Sequence, residues 1–432
     1  MLSTLIRFLE SQDQISDWKI KETNSKGEEI FFVNSKVDMT RIKNVTHYLI
    51  TIYKDFTENG IIYKGSSSFS IHPTSNKTEL LEKCKKATAN AVFVKNMWYP
   101  LVEPSMLKNS KKLETAPNDI SSFKDMMKEI NLLEPATLSG INSMELFVYE
   151  EKKTVANSKG ILVKSENPKT YLEIITQEKG SKEEVELYYE IKFSHTKQGN
   201  LAEQINNMIK QTRDRSVAEI TPDIGACPII LSGSSVPDFL NYYLSKSSAK
   251  GYYEKISPFK PNDSLQGKDI QGDLIDLWLD PQLEGSYYSG TFDEDGYPLE
   301  KIKIVDKGTL IRYWGDIRYS HYVNAIPPTG GLKNFQVATG STPLEEFKKD
   351  PYVEAVSFSD FQMDTMTGNF GGEIRLGYYF DGTKTIPITK GSIVGNITEC
   401  QNNLLFSRES QTIMNFKGPL SILIKKATVS GS

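Results

Sequence analysis

Apolar positions in the first hundred residues follow two different periods. Glu29–Val33, His47–Tyr53 and Ser67–His72 are short runs rich in β-branched and aromatic side chains, the composition of strands. Leu2, Leu5, Ile6 and Leu9 recur at helical spacing instead, which predicts a short amphipathic helix over Met1–Glu10. A second helix is predicted from Asn76, with Glu79 placed to complete a capping box. Leu80, Cys84, Ala87 and Ala91 share its apolar face, so Cys84 reads as a core residue and not as a reactive thiol.

Further along, Leu101 to Pro117 is polar and carries Pro104, Ser110, Lys111, Lys112 and Pro117, the pattern of a linker. Phe123, Met126, Met127, Ile130 and Leu133 then lie on one helical face, where methionines serve as core filler. Two hairpins are predicted, Met144–Glu150 with Gly160–Lys164 and Tyr171–Glu178 with Glu184–Phe193, followed by a helix over Leu201–Arg215. After Thr221 the chain changes to short strands and glycine-rich turns. One helix interrupts them, with Pro237 at its first position and Phe239, Leu240, Tyr243 and Leu244 on its apolar face. Glu373–Phe380 alternates as a half-buried strand and turns through Asp381-Gly382 into Thr385–Thr389. These patterns predict an α+β protein with three parts. They are an N-terminal α/β unit (1–110), a middle α+β segment (111–218) and a largely antiparallel β domain with one inserted helix (219–432).

Composition narrows the function classes. The 432 residues carry a net charge of -4, without the basic excess that nucleic-acid binders show, so no nucleic-acid partner is expected. No uncharged run reaches the length of about eighteen residues that a membrane helix needs, so no membrane partner is expected either. Met1–Glu10 lacks the apolar core of a signal peptide. Cys84, Cys227 and Cys400 are few, odd in number and far apart, which suits a reducing cytoplasm.

Candidate chemistry is sparse. His47, His72, His195 and His321 are isolated, and no two share the spacing that would place both imidazoles on one helix face. There is no Cys-x-x-Cys pair, phosphate loop or Gly-x-Ser-x-Gly turn; Ser232-Gly233-Ser234-Ser235 reads as a helix entry. Asp293-Glu294-Asp295-Gly296 hints at a calcium loop, but the frame would start at Thr291 and end at Ile302, so it reads as an acidic turn. Tyr287, Tyr288, Tyr313, Trp314, Tyr319 and Tyr322 suit either a groove for an extended chain or buried packing.

Several segments, in order, resemble the TldD/PmbA family, once labelled modulators of DNA gyrase. They are Gly290–Pro298 around the acidic turn, Val305–Leu310, Arg318–Tyr322, Pro328-Thr329-Gly330, Met363–Tyr378 with Thr367-Gly368-Asn369-Phe370, Gly391–Ile397 and Val429–Gly431. Arg318–Tyr322 departs from the family's usual Tyr-Ser-Ala-Arg. The N-terminal half agrees more loosely, through Val155–Gly160. The resemblance implies that Asp293, Glu294, Gly296, Tyr313, His321, Thr329, Gly330, Thr367, Gly368 and Gly372 line a peptide groove.

Active TldD-type members carry His-Glu-x-x-x-His on a helix of the C-terminal domain and complete a zinc site with a later cysteine. Two imidazoles and a thiolate hold zinc, an open position takes water, and the Glu removes its proton. The corresponding helix here, Phe239–Ser247, has neither His nor Glu, and Leu405–Arg408, where the cysteine would fall, has no Cys. Cys400 lies too early. This is the pattern of the PmbA (TldE) branch. The resemblance therefore implies a metallopeptidase-related, cytosolic subunit without catalytic residues or zinc of its own. Its expected partner is a TldD-like homologue, or a second copy, and the pair would process unfolded, extended peptides. A stand-alone peptidase and a homodimeric peptide binder without turnover remain open alternatives.

Overall fold

Long alternating strands, much longer than the apolar runs that announce them, build the N-terminal half. A computed structural model of the chain describes residues 1–33, 36–107, 139–179, 184–194, 201–332 and 334–431. β1 (Asp17–Val33), β2 (Lys36–Glu58), β3 (Ile61–Ile71), β4 (Ser139–Asn157), β5 (Leu162–Glu178) and β6 (Val185–Phe193) form one sheet in the order β3-β2-β1-β4-β5-β6. Every pairing in it is antiparallel. β1 runs beside β4 from Lys19↔Asn157 to Val33↔Ser143, so residues on both sides of the 110/111 division share this sheet. The N-terminal part is therefore not an α/β unit in the parallel-sheet sense. The turn at Asn157–Gly160 falls where a hairpin was expected. Met144, however, lies opposite Ile174, while the start of β5 faces the end of β4.

Helices cover one side of this sheet because their apolar stripes need burial. α1 (Leu2–Glu10) and α2 (Lys77–Ala91) place Leu5, Leu9, Leu80 and Cys84 against Ile20, Ile50, Ile52 and Ile71. Asn76 caps α2 by accepting the Glu79 N–H at 2.9 Å. α3 (Leu201–Ser216) lays Leu201 and Ile205 over Leu146, Leu172 and Ile174. Leu101 and Val102, expected to open a polar linker, are buried instead; Val102 packs with Val155, Ile161 and Phe292. The rest of that linker after Leu107, the helix expected through Phe123–Leu133, and His195 lie outside the described residues.

In the C-terminal half, five strands pair in a closed ring: Tyr352–Met363, Gly225–Ser232, Ser421–Ser430, Gly391–Asn396 and Asn369–Phe380, which returns to the first. The expected hairpin is present, with Phe380 opposite Thr385 across the Asp381-Gly382 turn. A six-stranded sheet that includes Leu277–Leu279, Ile302–Asp306 and Phe335–Val337 shares its core with the ring. α4 (Ser235–Lys246) supplies Val236, Phe239, Leu240 and Tyr243 to that same core. It starts two residues before Pro237, with Ser234 as its N-cap residue. Most pairings are antiparallel, with parallel exceptions such as Val353↔Ile229. The fold is α+β.

Candidate functional site

An acidic turn of the C-terminal half is clamped onto the N-terminal sheet. Phe292 and Pro298 bridge the base of the turn, and Gly296 at φ +82° forms its tip. A Cβ at Gly296 would meet Ile161 Cδ1 at 2.5 Å, so both backbone angle and space demand glycine there. Beside the tip, Lys19 of β1 pairs with Asp295, while Lys21 donates to Glu294 at 2.7 Å and Lys153 of β4 pairs with the same carboxylate. Strand register explains the convergence. Lys19 and Lys21 share a face of β1, and Lys153 lies opposite Thr23, one pleat beyond Lys21.

Inside the turn, Asp293 is 4% exposed and holds three backbone N–H groups. Its Oδ1 accepts from Asp295 at 2.8 Å and Tyr297 at 2.9 Å, and its Oδ2 from Gly331 at 2.8 Å. Burial and the neighbouring Asp295 charge push its carboxyl up to about 7, against the pull of those three donors. Glu294 behaves oppositely. Burial would raise it, but the Lys153 and Lys21 ammonium groups override this and hold it at about 2. Lys19 is held above its ordinary range, because Asp295 outweighs the burial that would lower it.

Thr329 and Gly330 complete this junction: Thr329 Oγ1 accepts the Gly315 N–H at 3.0 Å, and Gly330 packs against Leu299 and Asp293. The other candidate positions lie elsewhere. Tyr313 stacks on Tyr252 with ring centres 5.0 Å apart, donates to the Phe259 carbonyl, and lines a separate cleft with Arg312. His321 is exposed and meets Trp98 edge-on at 5.8 Å. Thr367 and Gly368 form a turn on Asp364, to which the end of α4 is tied by Lys246 donating to the Met366 carbonyl at 3.2 Å. Gly372 lies in the ring strand facing Phe361. Among the described residues no hydrogen bond joins these last three to the acidic turn.

Two adjoining clefts open beside the junction. The larger, of about 560 Å³, is floored by the exposed face of α4 through Asn241 and Ser245, and walled by Tyr288, Trp314, Tyr319 and Asn415. It meets a second cleft of about 270 Å³ at Tyr288, Gly331 and Leu332; Lys21, Lys153, Asn167, Asp293 and Glu294 line that one. The aromatic cluster therefore divides. Tyr288, Trp314 and Tyr319 face the larger cleft, whereas Tyr322 packs on Tyr99 and donates to the Met97 carbonyl at 2.5 Å. Sequence reading missed Asn241 and Ser245, whose helical spacing opposite an apolar face was an available signal. It also missed Lys21 and Lys153, which only the strand register brings to Glu294.

The donor set at α4 does not fit a zinc ion. Its cleft face offers a carboxamide and hydroxyls where imidazoles would be required. Cys400 lies near the buried side of the helix, next to Tyr243, and donates to the Ile397 carbonyl. Burial pushes its thiol up to about 12, so it rests as the neutral thiol at neutral pH. Among the described residues no group of three or more His, Cys, Asp or Glu side chains is placed to hold a metal.

Residues 224–431 match the PmbA/TldA metallopeptidase C-terminal domain. The C-terminal half is a TldD/PmbA-family domain. The Methanocaldococcus jannaschii protein MJ0231, itself uncharacterized, is 28% identical over 183 residues, a match spanning 40% of this chain and 43% of that one. This chain thus aligns with less than half the length of that relative. Solved structures share the fold from end to end. A proposed DNA gyrase modulator of Thermotoga maritima superposes with a TM-score of 0.76 at 15% identity, over 99% of both chains. TldE of Thermococcus kodakarensis gives 0.75 at 16% identity over 100% of both. A proposed gyrase modulator of Bacteroides thetaiotaomicron gives 0.74 at 16% identity, over 97% of this chain and 95% of its own.

Proposed function

We propose that this chain is a TldE-like, non-catalytic subunit of a cytosolic complex in which a metal-bearing TldD-like partner processes unfolded peptides. The observation that carries the reading is α4: the helix to which the family resemblance assigns the metal motif presents Asn241 and Ser245 to its cleft. A carboxamide and a hydroxyl can hold a peptide backbone by hydrogen bonds, but neither takes a proton from water at neutral pH. The rings of Tyr288, Trp314 and Tyr319, which line the cleft, add apolar contact for an extended chain. In the complex this chain shapes the chamber and supports its partner. The described residues include no helix long and apolar enough to cross a membrane.

Co-expression with a homologue carrying His-Glu-x-x-x-His, followed by co-purification and assay on an unfolded peptide, tests this. Association with hydrolysis that depends on the homologue's histidines supports the reading; failure of any such homologue to bind removes its basis. The same cleft also favours a second reading, a peptide binder without turnover. Tight peptide binding by the isolated chain, unchanged by a partner, would select that one.

A further inference from the structure

Two histidines that are isolated in the sequence meet on the N-terminal sheet. The register that pairs Tyr48 of β2 with Ile71 of β3 sets His47 opposite His72 one step further on. Their ring centres are 5.9 Å apart, with the planes inclined at 64°. Both side chains are exposed, and among the described residues neither imidazole makes a hydrogen bond. The turn after β3 fixes the backbone of His72, whose N–H donates to Ser75 Oγ at 3.2 Å and whose carbonyl accepts the Ser75 N–H at 3.0 Å. Glu79, in the first turn of α2, is committed to Lys83 at 2.8 Å. The donors that remain are two imidazoles.

The pair also lies on a telling face. Ile50 and Ile71 point into the core under α1 and α2, so the adjacent His47 and His72 alternate to the other side of the sheet. There a row of opposed residues runs His72, His47, Thr23, Lys153, Ser165, and the last three line the smaller cleft beside the acidic turn. Neighbouring strands are about 4.8 Å apart, which puts the histidines one strand outside that cleft.

We propose that His47 and His72 form a two-imidazole site for a borderline divalent cation of the nickel, copper or zinc class. Imidazole nitrogens bind such ions at about 2.0–2.1 Å, so one ion held tetrahedrally by both rings brings their centres to roughly 5 Å. The rings need to close by less than about 1 Å, which exposed side chains on fixed strands achieve by small rotations. Two protein donors leave the remaining positions to water, on the side of the sheet that carries the cleft. Hard cations such as magnesium prefer oxygen donors and have none here. The site stands on the N-terminal sheet and not on α4, and with only two donors it releases its metal on dialysis. It is independent of the subunit reading above.

Calorimetric titration of the full chain, free of any polyhistidine tag, with Ni2+ tests the pair. One Ni2+ per chain is expected to bind, and Mg2+ is expected not to. His47→Ala and His72→Ala, both at exposed positions, should keep the circular dichroism spectrum and each weaken Ni2+ at least tenfold. The double variant should be no weaker than either single one, because losing one ring already breaks the chelate. On the wild type, the electron paramagnetic resonance spectrum of one equivalent of Cu2+ should show coupling to two imidazole nitrogens. Absence of saturable Ni2+ binding, binding that survives either substitution, equal binding of Mg2+, or coupling to a single nitrogen overturns the proposal.

Discussion

Replacing Asp293 measures how far the acidic turn depends on one buried carboxylate. Asp293→Ala removes the acceptor from three N–H groups held at 2.8–2.9 Å inside the junction. A buried donor left without a partner costs roughly 1–3 kcal/mol; some relief comes from removing a carboxyl that burial disfavours when ionised, leaving a net loss of about 3 kcal/mol. Asp293→Asn keeps Oδ1 for Asp295 and Tyr297 but turns an amide donor toward the Gly331 N–H, so it should lose only about 1–2 kcal/mol. The pH dependence separates the two effects. Burial and Asp295 push the folded carboxyl up to about 7, so the folded chain keeps a proton that the unfolded chain has released. That contribution is fully present below the unfolded value near 4 and is lost as pH rises through 7. Urea denaturation at pH 5 and pH 8 should therefore show the gap between wild type and Asp293→Asn narrowing at pH 8. Equal losses for Ala and Asn, or a gap that widens with pH, would refute this account of the turn.

Glu294→Gln removes the negative charge that Lys21 and Lys153 share. Because Glu294 is held at about 2, its contribution is present above its ordinary value and vanishes as pH falls toward 2. Thermal melts of wild type and variant should differ at pH 7 and converge in strong acid, with the difference at pH 7 reduced by salt. Lys64 is 1% exposed and donates to Asp17 and Asp55 at 2.8 Å each. Since Asp17 keeps Lys159 at 2.7 Å, Lys64→Met should cost about 3 kcal/mol in urea denaturation, the lower end of the range for breaking a buried pair. Asn76→Ala removes the α2 cap and should cost about 1 kcal/mol, with faster amide exchange in the first turn of that helix. Gly296→Ala meets both Ile161 and an unfavourable φ, and should loosen the junction enough to expose Lys19 and Lys153 to faster chemical modification.

Local signals were legible because local physics sets them. Asn76 caps α2, its apolar face lies where helical spacing put it, and Asp381-Gly382 closes a hairpin. The length of β1 was hidden because charged residues punctuate both of its faces: Lys19, Lys21 and Glu22 interrupt the apolar signal, yet belong to one continuous ladder. The polar stretch Asn24–Gly27 looks like a turn and is mid-strand, held by partners on both sides. Pairing of β1 with β4 bridges more than a hundred residues, and no sequence period reports such a contact. The same reason hid the junction. Glu294 finds its lysines at separations of 273 and 141 residues, so the turn's acidity was visible and its partners were not. At Leu101-Val102, flanking prolines and lysines suggested a linker, while two apolar side chains were enough to anchor the start of that segment in a core.

Metal content bears most directly on the supporting role assigned to this chain. The purified protein, incubated with excess zinc and dialysed, should retain only a trace by elemental analysis, and should leave an unfolded peptide uncut with or without chelator. Stoichiometric zinc that survives dialysis, removed by chelator together with a peptidase activity belonging to the isolated chain, would contradict it.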